Sequence, residues 1–135
     1  MNGKTRGFTL IELMIVVALL AILIAIGYPS YRDQVMKSRR AEGMGELLEL
    51  ADRMERYYSG NGTYNGATLG PDDDDVYETS TEKGNYTLGI TSATTTLFTI
   101  TATPVAPQDK DKCGTFTLTS SGQKSAGGGN DCWKI

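Results

Sequence analysis

Apolar residues are distributed unevenly along the chain, as a continuous run followed by a longer, patterned remainder. Residues 13–26 contain no charged or polar side chain, and no comparable run follows Arg32. Residues 8–28 contain a single charge, Glu12. A helix of that length rises about 1.5 Å per residue and reaches about 32 Å, which is enough to cross the apolar core of a bilayer. The run therefore predicts a membrane-spanning helix.

Beyond Arg32, apolar residues recur at intervals of three and four, which indicates an amphipathic helix laid on a sheet. Gly27 and Pro29 fall between the two parts. Because proline removes a backbone donor and clashes with the preceding turn, we expect a helix kink there. Gly60 is expected to end the helix near Ser59. The face packed on the sheet is predicted to consist of Met44, Leu47, Leu48, Ala51, Met54 and Tyr58.

Three later segments alternate apolar residues with polar ones, mainly threonine, which predicts half-buried antiparallel strands. They are residues 86–90, 98–102 and 115–119, and a short final strand is considered at residues 133–135. Glycine-rich turns are predicted at residues 121–122 and 127–130. The predicted fold class is α+β, with a long, kinked amino-terminal α-helix packed on a carboxyl-terminal antiparallel β-sheet.

Composition narrows the range of functions. The chain has 13 cationic and 16 acidic side chains, a net charge of −3, and no histidine. An acidic chain does not attract nucleic acid through its net charge, so no clear nucleic-acid site is predicted, although Lys37, Arg39 and Arg40 could form a local basic patch. Without histidine, a nucleophile elbow or a glycine-rich phosphate loop, we expect no enzymatic activity and no cofactor.

A run of four aspartates, from Asp72 to Asp75, follows Pro71. Carboxylate oxygens are ligands for Ca²⁺, but the run lacks the spacing and the distal glutamate of an EF-hand loop. A solvated acidic loop is the favoured interpretation and no metal site is predicted, while calcium binding stays open as an alternative.

The only two cysteines, Cys113 and Cys132, are 19 residues apart. Two thiols make a poor zinc site but suit one disulfide, and the spacing is not that of a redox C-x-x-C motif. A disulfide closing this loop is worth about 3 kcal/mol in the chain-entropy model. It also implies that this part of the chain lies in an oxidising compartment.

The order of residues at the amino terminus carries a family resemblance. Residues 4–13 read Lys-Thr-Arg-Gly-Phe-Thr-Leu-Ile-Glu-Leu and lead directly into the apolar run. This string resembles the precursor motif of type IV pilins, either a type IVa major pilin precursor or a PilE-like minor pilin. The resemblance implies cleavage by prepilin peptidase between Gly7 and Phe8, N-methylation of Phe8, and retention of the apolar helix. It also implies that the carboxylate of Glu12 meets the terminal amine of a neighbouring subunit and sets the assembly register.

Two alternatives stay open for these features. Thr9 and Glu12 fit a capping box, which would give the carboxylate a purely local role. The apolar run alone also fits a plain membrane anchor, whereas a secretory signal is disfavoured because no small-residue cleavage site follows it.

The resemblance divides the chain into a leader (residues 1–7), a transmembrane or filament-core segment (8–28), an amphipathic continuation (29–60) and a sheet head domain (61–135). It implies as partners other pilin subunits, the inner membrane, prepilin peptidase and the pilus assembly machinery. The precursor would lie in the inner membrane with its amino terminus cytoplasmic and its head periplasmic, and would become extracellular in the pilus. The alternatives are a type II secretion pseudopilin and a single-span anchored binding protein. Adhesion, twitching motility, DNA uptake and filament priming are not separated by the sequence.

Overall fold

The computed structural model describes Gly3 and residues 7–134. Lys4 and Arg6 of the expected leader, and Ile135 of the considered final strand, lie outside the described residues. Helix α1 spans Leu10–Asn61, 52 residues. The chain forms two compact units, one up to Val35 and one from Met36 onward.

The first unit is the amino-terminal part of α1, and every residue from 7 to 34 is exposed. Its apolar window has a mean hydropathy of 3.0 and is long and apolar enough to cross a membrane, judged by length and composition alone. The helix continues through Gly27 and Pro29 without interruption. A kink at these two residues stays a prediction.

The second unit combines the rest of α1 with a four-stranded antiparallel sheet. Its strands, in spatial order, are β1 (Tyr86–Ala93), β2 (Phe98–Pro104), β3 (Phe116–Thr119) and β4 (Lys124–Ala126). Two short 3₁₀ helices, η1 (Gln108–Lys110) and η2 (Asn130–Trp133), flank β3 and β4. The register pairs Ile90 with Ile100 and Ala102 with Phe116. The α+β prediction is therefore confirmed.

The core lies between α1 and one face of the sheet, where alternate strand residues are buried. A β-carbon at Gly43 would lie 2.7 Å from the ring of Tyr86, so only glycine leaves room for that buried ring. The buried side chains of the two layers form one cluster that includes Met44, Leu47, Leu50, Met54, Tyr86, Leu88, Phe98, Ile100, Phe116 and Leu118.

The predicted buried face of the helix is wrong at one residue, Leu48. Leu48 is 46% exposed, whereas Leu50 is fully buried. At about 100° per residue, the centre of the buried face passes through Met36, Leu47 and Met54, which are spaced by 11 and 7 residues. Leu48 lies about 100° beyond Leu47 and turns away from the sheet.

The carboxyl-terminal end also differs from prediction. Trp133 belongs to η2 and not to a strand, and the fourth strand is β4. The indole N–H of Trp133 donates to the carbonyl of Ser125 at 2.8 Å, and its ring packs edge-on against Phe116 with centroids 5.4 Å apart. These two contacts hold η2 against β4 and against the core.

Candidate assembly and surface sites

The first candidate site is the beginning of α1, where Thr9 and Glu12 form a reciprocal cap. The backbone N–H and the hydroxyl of Thr9 each donate to Glu12 Oε2 at 3.0 Å. The backbone N–H of Glu12 donates to Thr9 Oγ1 at 3.3 Å. These contacts are those of a capping box, which satisfies backbone donors that the first helical turn cannot pair.

The surroundings of this cap are apolar and exposed. Phe8, Leu10 and Ile11 are among the most exposed large apolar side chains of the chain. Leu, Ile and Val residues are exposed on all sides of the helix as far as Ile26. A surface of this extent normally marks contact with lipid or protein.

The second candidate site is the carboxyl-terminal region closed by the Cys113–Cys132 disulfide, which the structure contains. Both cysteines are buried in the core cluster. The backbone of Gly128 donates to the carbonyl of Cys113 at 3.0 Å. A β-carbon at Gly128 would come within 2.9 Å of Cys113 Cα, so glycine permits this close backbone approach. We call residues 113–132 the disulfide-bounded region.

A strap of residues 108–113 connects this region to α1. Asp111 accepts two hydrogen bonds from Arg40 of α1, from Nε at 2.7 Å and from Nη2 at 2.5 Å. The side chain of Asp111 is 3% exposed and that of Arg40 is 16% exposed. The side-chain amide of Gln108 donates to the carbonyl of Met36 at 3.2 Å and to the hydroxyl of Tyr86 at 3.1 Å. Burial raises the pKa of the Tyr86 phenol, and the hydrogen bond from Gln108 opposes that rise.

Exposed lysines lie on and beside the disulfide-bounded region. Lys124 sits over the ring of Trp133, with Nζ 5.3 Å from the centroid. Residues 107–134 carry four lysines against three aspartates, whereas residues 41–106 carry eleven acidic side chains against three cationic ones. The charge of this unit is therefore unevenly distributed along the sequence, and two of these lysines pair with aspartates, Lys110 with Asp109 at 3.4 Å and Lys134 with Asp131 at 2.7 Å. We call the exposed set Lys110, Lys112, Lys124 and Lys134 the lysine surface.

The basic patch considered from the sequence is altered by the fold. Lys37 is exposed, but Arg40 is engaged by Asp111 and partly buried. The three cations of that patch therefore do not form a free cationic surface together.

The acidic loop is held by hydrogen bonds between its own residues. Asp75 Oδ2 accepts the backbone N–H of Asp72 at 3.0 Å, and the backbone N–H of Asp75 donates to the carbonyl of Asp72 at 3.0 Å. Within the part of the chain that the structure describes, no group of three or more Cys, Asp or Glu side chains is arranged to hold a metal ion.

Comparison with known proteins gives the following matches. Residues 29–117 match the family described as type IV minor pilin ComP, DNA uptake sequence receptor, and residues 2–28 match the prokaryotic N-terminal methylation motif. Among curated relatives, a type IV major fimbrial protein FimA of Dichelobacter nodosus is 45% identical over 74 residues, 55% of this chain and 43% of that protein. A fimbrial protein of the same organism is 40% identical over 90 residues, 65% of this chain and 53% of that protein. The chain thus spans about half the length of these relatives.

Solved structures show the same architecture. The non-core minor pilin PilV of Neisseria meningitidis is similar with a TM-score of 0.57 and 26% identity, covering 72% of this chain and 91% of that one. A type IV pilin from Shewanella oneidensis has a TM-score of 0.52 at 24% identity, a likeness of fold only.

A long amino-terminal helix that is apolar and exposed in its first part, followed by an antiparallel sheet with a disulfide, defines a type IV pilin, a structural and non-enzymatic subunit. More particularly, the chain belongs to the family described as type IV minor pilin ComP, DNA uptake sequence receptor. Members of the pilin family assemble into pili with other pilins.

Sequence reasoning found the capping pair and the cysteines but missed the strap. Arg40 and Asp111 are 71 positions apart, and no local pattern links them. The available signal was weaker: Asp111 lies two residues before Cys113, a residue type that is often buried, and a carboxylate close to a buried residue needs a partner.

Proposed function

We propose that this chain is a minor subunit of an extracellular type IV pilus, inserted as a precursor in the inner membrane. Its amino terminus faces the cytoplasm and its head the periplasm. Prepilin peptidase cuts between Gly7 and Phe8, Phe8 is N-methylated, and the retained helix assembles with the helices of other pilins. The membership in a minor pilin family and the match of residues 2–28 to the methylation motif support this proposal.

The observation that carries the proposal is the exposure of every residue from 7 to 34. Within the described residues, the apolar side chains of this part of the helix are not buried by the protein itself. Lipid can cover it in the precursor, and helices of neighbouring subunits can cover it in a filament, because helix packing in lipid and in a dry protein core uses similar contacts. A soluble monomer would leave a large apolar surface in water.

In this proposal Glu12 has a second role beside its cap. Cleavage leaves Phe8 with a positive terminal amine, and N-methylation preserves the charge. A carboxylate costs about 2.5–3.5 kcal/mol at a bilayer centre on insertion scales and less near an end, so a cation nearby relieves it. We assign that cation to the terminal amine of an adjacent subunit, which would set the register of assembly.

Processing at Gly7 gives a direct test. Co-expression with a prepilin peptidase should shorten the chain by its seven leader residues and add one methyl group, as read by intact-protein mass spectrometry. Gly7→Asp should abolish both changes. Gly3→Ala, at the other leader glycine, is the matched control and should be processed normally. An unchanged mass for the wild-type chain in the presence of an active peptidase would contradict the proposed precursor.

The family description and the lysine surface support a second candidate function, the reception of DNA for uptake. Cationic side chains bind DNA by neutralising phosphates and releasing counterions. The lysine surface belongs to a stretch of sequence in which lysines outnumber aspartates, so it can act although the net charge is −3. By comparison, the alternative of a type II secretion pseudopilin gains no support from the family match.

Substitutions in the lysine surface test DNA binding. Lys112→Ala and Lys124→Ala should each weaken binding of double-stranded DNA and lower the slope of log affinity against log salt by about one. Fluorescence anisotropy at several salt concentrations gives both quantities. Lys83→Ala, an exposed lysine among the acidic residues, serves as control and should keep the wild-type slope. Equal affinity for the wild type and the three variants would show that the lysine surface does not bind DNA.

A further inference from the structure

The strap holds a buried ion pair that neither the pilin fold nor the family description explains. Asp111 lies two residues before Cys113, and its Oδ2 also accepts the backbone N–H of that cysteine at 3.4 Å. The same oxygen accepts from Arg40 Nε, so one carboxylate joins α1 to the first residue of the disulfide-bounded region. Charged pairs buried to this degree are costly to desolvate, and their best-attested use is to fix one arrangement among several.

Gln108 adds a second tie at the other end of the strap. Its side chain is fully buried and its amide nitrogen reaches both α1 and β1, through the carbonyl of Met36 and the hydroxyl of Tyr86. The backbone N–H of Asp111 donates to the carbonyl of Gln108 at 2.9 Å. Four polar side chains from α1, the strap and β1 thus converge where the strap contacts the helix.

We propose that Arg40 and Asp111 are positioning residues that fix the disulfide-bounded region on α1 and thereby set the orientation of the lysine surface. Arg40 acts through Asp111 and does not contact the ligand of the lysine surface. The part of this inference that concerns DNA rests on the proposed receptor function, whereas the part that concerns the disulfide-bounded region does not.

The ion pair itself is tested by access to the disulfide. Arg40→Met leaves the Asp111 carboxylate buried without its cation, which is strongly destabilising, so the disulfide-bounded region should open more often. We expect the full chain in detergent to be reduced by a water-soluble phosphine at least about tenfold faster than wild type, as counted by thiol labelling. The double variant Arg40→Met with Asp111→Leu replaces the pair by apolar side chains and should return the reduction rate to within about threefold of wild type.

A matched control exists on the same helix. Arg53 pairs with Glu49 at 3.5 Å, and both side chains are about half exposed. Because exposed pairs contribute little, Arg53→Met should leave the reduction rate unchanged. The proposal is overturned if Arg40→Met is reduced no faster than Arg53→Met, or if the double variant is reduced as fast as Arg40→Met.

DNA binding distinguishes positioning from direct contact. Arg40→Met should weaken DNA binding while keeping the salt slope of the wild type, because no phosphate contact is lost, and the double variant should recover the affinity. A slope lower by about one in both variants would mean that Arg40 contacts phosphate, which overturns the positioning role. If wild-type protein binds no DNA, the receptor function fails, and the reduction rates alone decide the proposal.

Discussion

Replacing Glu12 by Gln should remove this subunit from pili while leaving it in the membrane. We expect its amount in sheared filaments to fall at least about tenfold, equivalent to about 1.4 kcal/mol or more of lost contact free energy per subunit. The reason is that Gln keeps the hydrogen bonds of a capping box but lacks the charge that the proposed contact with a neighbour's terminal amine requires. Immunoblots of sheared pili and of the membrane fraction measure both quantities.

The capping contacts around Glu12 allow a sharp set of controls. Glu12→Ala removes both the cap and the charge, and should assemble as poorly as Glu12→Gln. Thr9→Ala removes the hydroxyl that contacts Glu12 and retains the carboxylate, so it should weaken the first helical turn by about 1 kcal/mol but still enter filaments. If Glu12→Gln assembled normally while Glu12→Ala did not, the carboxylate would be needed only for its cap.

The two parts of α1 differ in burial, and this difference explains why the sequence patterns were informative. Its first part is exposed and apolar on every face, so the run is visible without any knowledge of contacts. Its second part is covered by the chain's own sheet, so only one face is apolar and a period of 3.6 appears. The strands alternate because one face packs on the helix and the other carries threonine.

The features that sequence analysis missed depend on tertiary placement. A strand of three residues, β4, is too short to show an alternation. The sequence leaves a strand open at Trp133, because the hydrogen bond from its indole to Ser125 cannot be read from order along the chain. Leu48 and Leu50 differ in burial only through the rotation of the helix on the sheet. The Arg40–Asp111 pair gives no local signal at all, because its members are brought together by the fold.

Removing the disulfide should have the largest effect on stability. For Cys113→Ala with Cys132→Ala we expect unfolding free energy of the second unit to fall by about 3 kcal/mol, because the cross-link restricts the unfolded chain over a loop of this length. For a unit of about 100 residues this corresponds to a fall in Tm of about 12–24 °C. Thermal unfolding of the full chain in detergent, followed by circular dichroism, measures the shift.

The double alanine variant also removes two buried sulfur atoms, so a second comparison isolates the cross-link. Wild-type protein unfolded with its disulfide reduced keeps both side chains and should lose about the same 3 kcal/mol. Loss of α1 helicity should be partial in both cases, because the α1 side chains in the core cluster with the two cysteines lie in the second unit, from Met44 to Met54. If Tm decreased by less than about 4 °C in both proteins, the Arg40–Asp111 pair and the packing of Phe116 with Trp133 would be sufficient to hold the region without the covalent link. In that outcome the strap, and not the disulfide, would be the main constraint on the lysine surface.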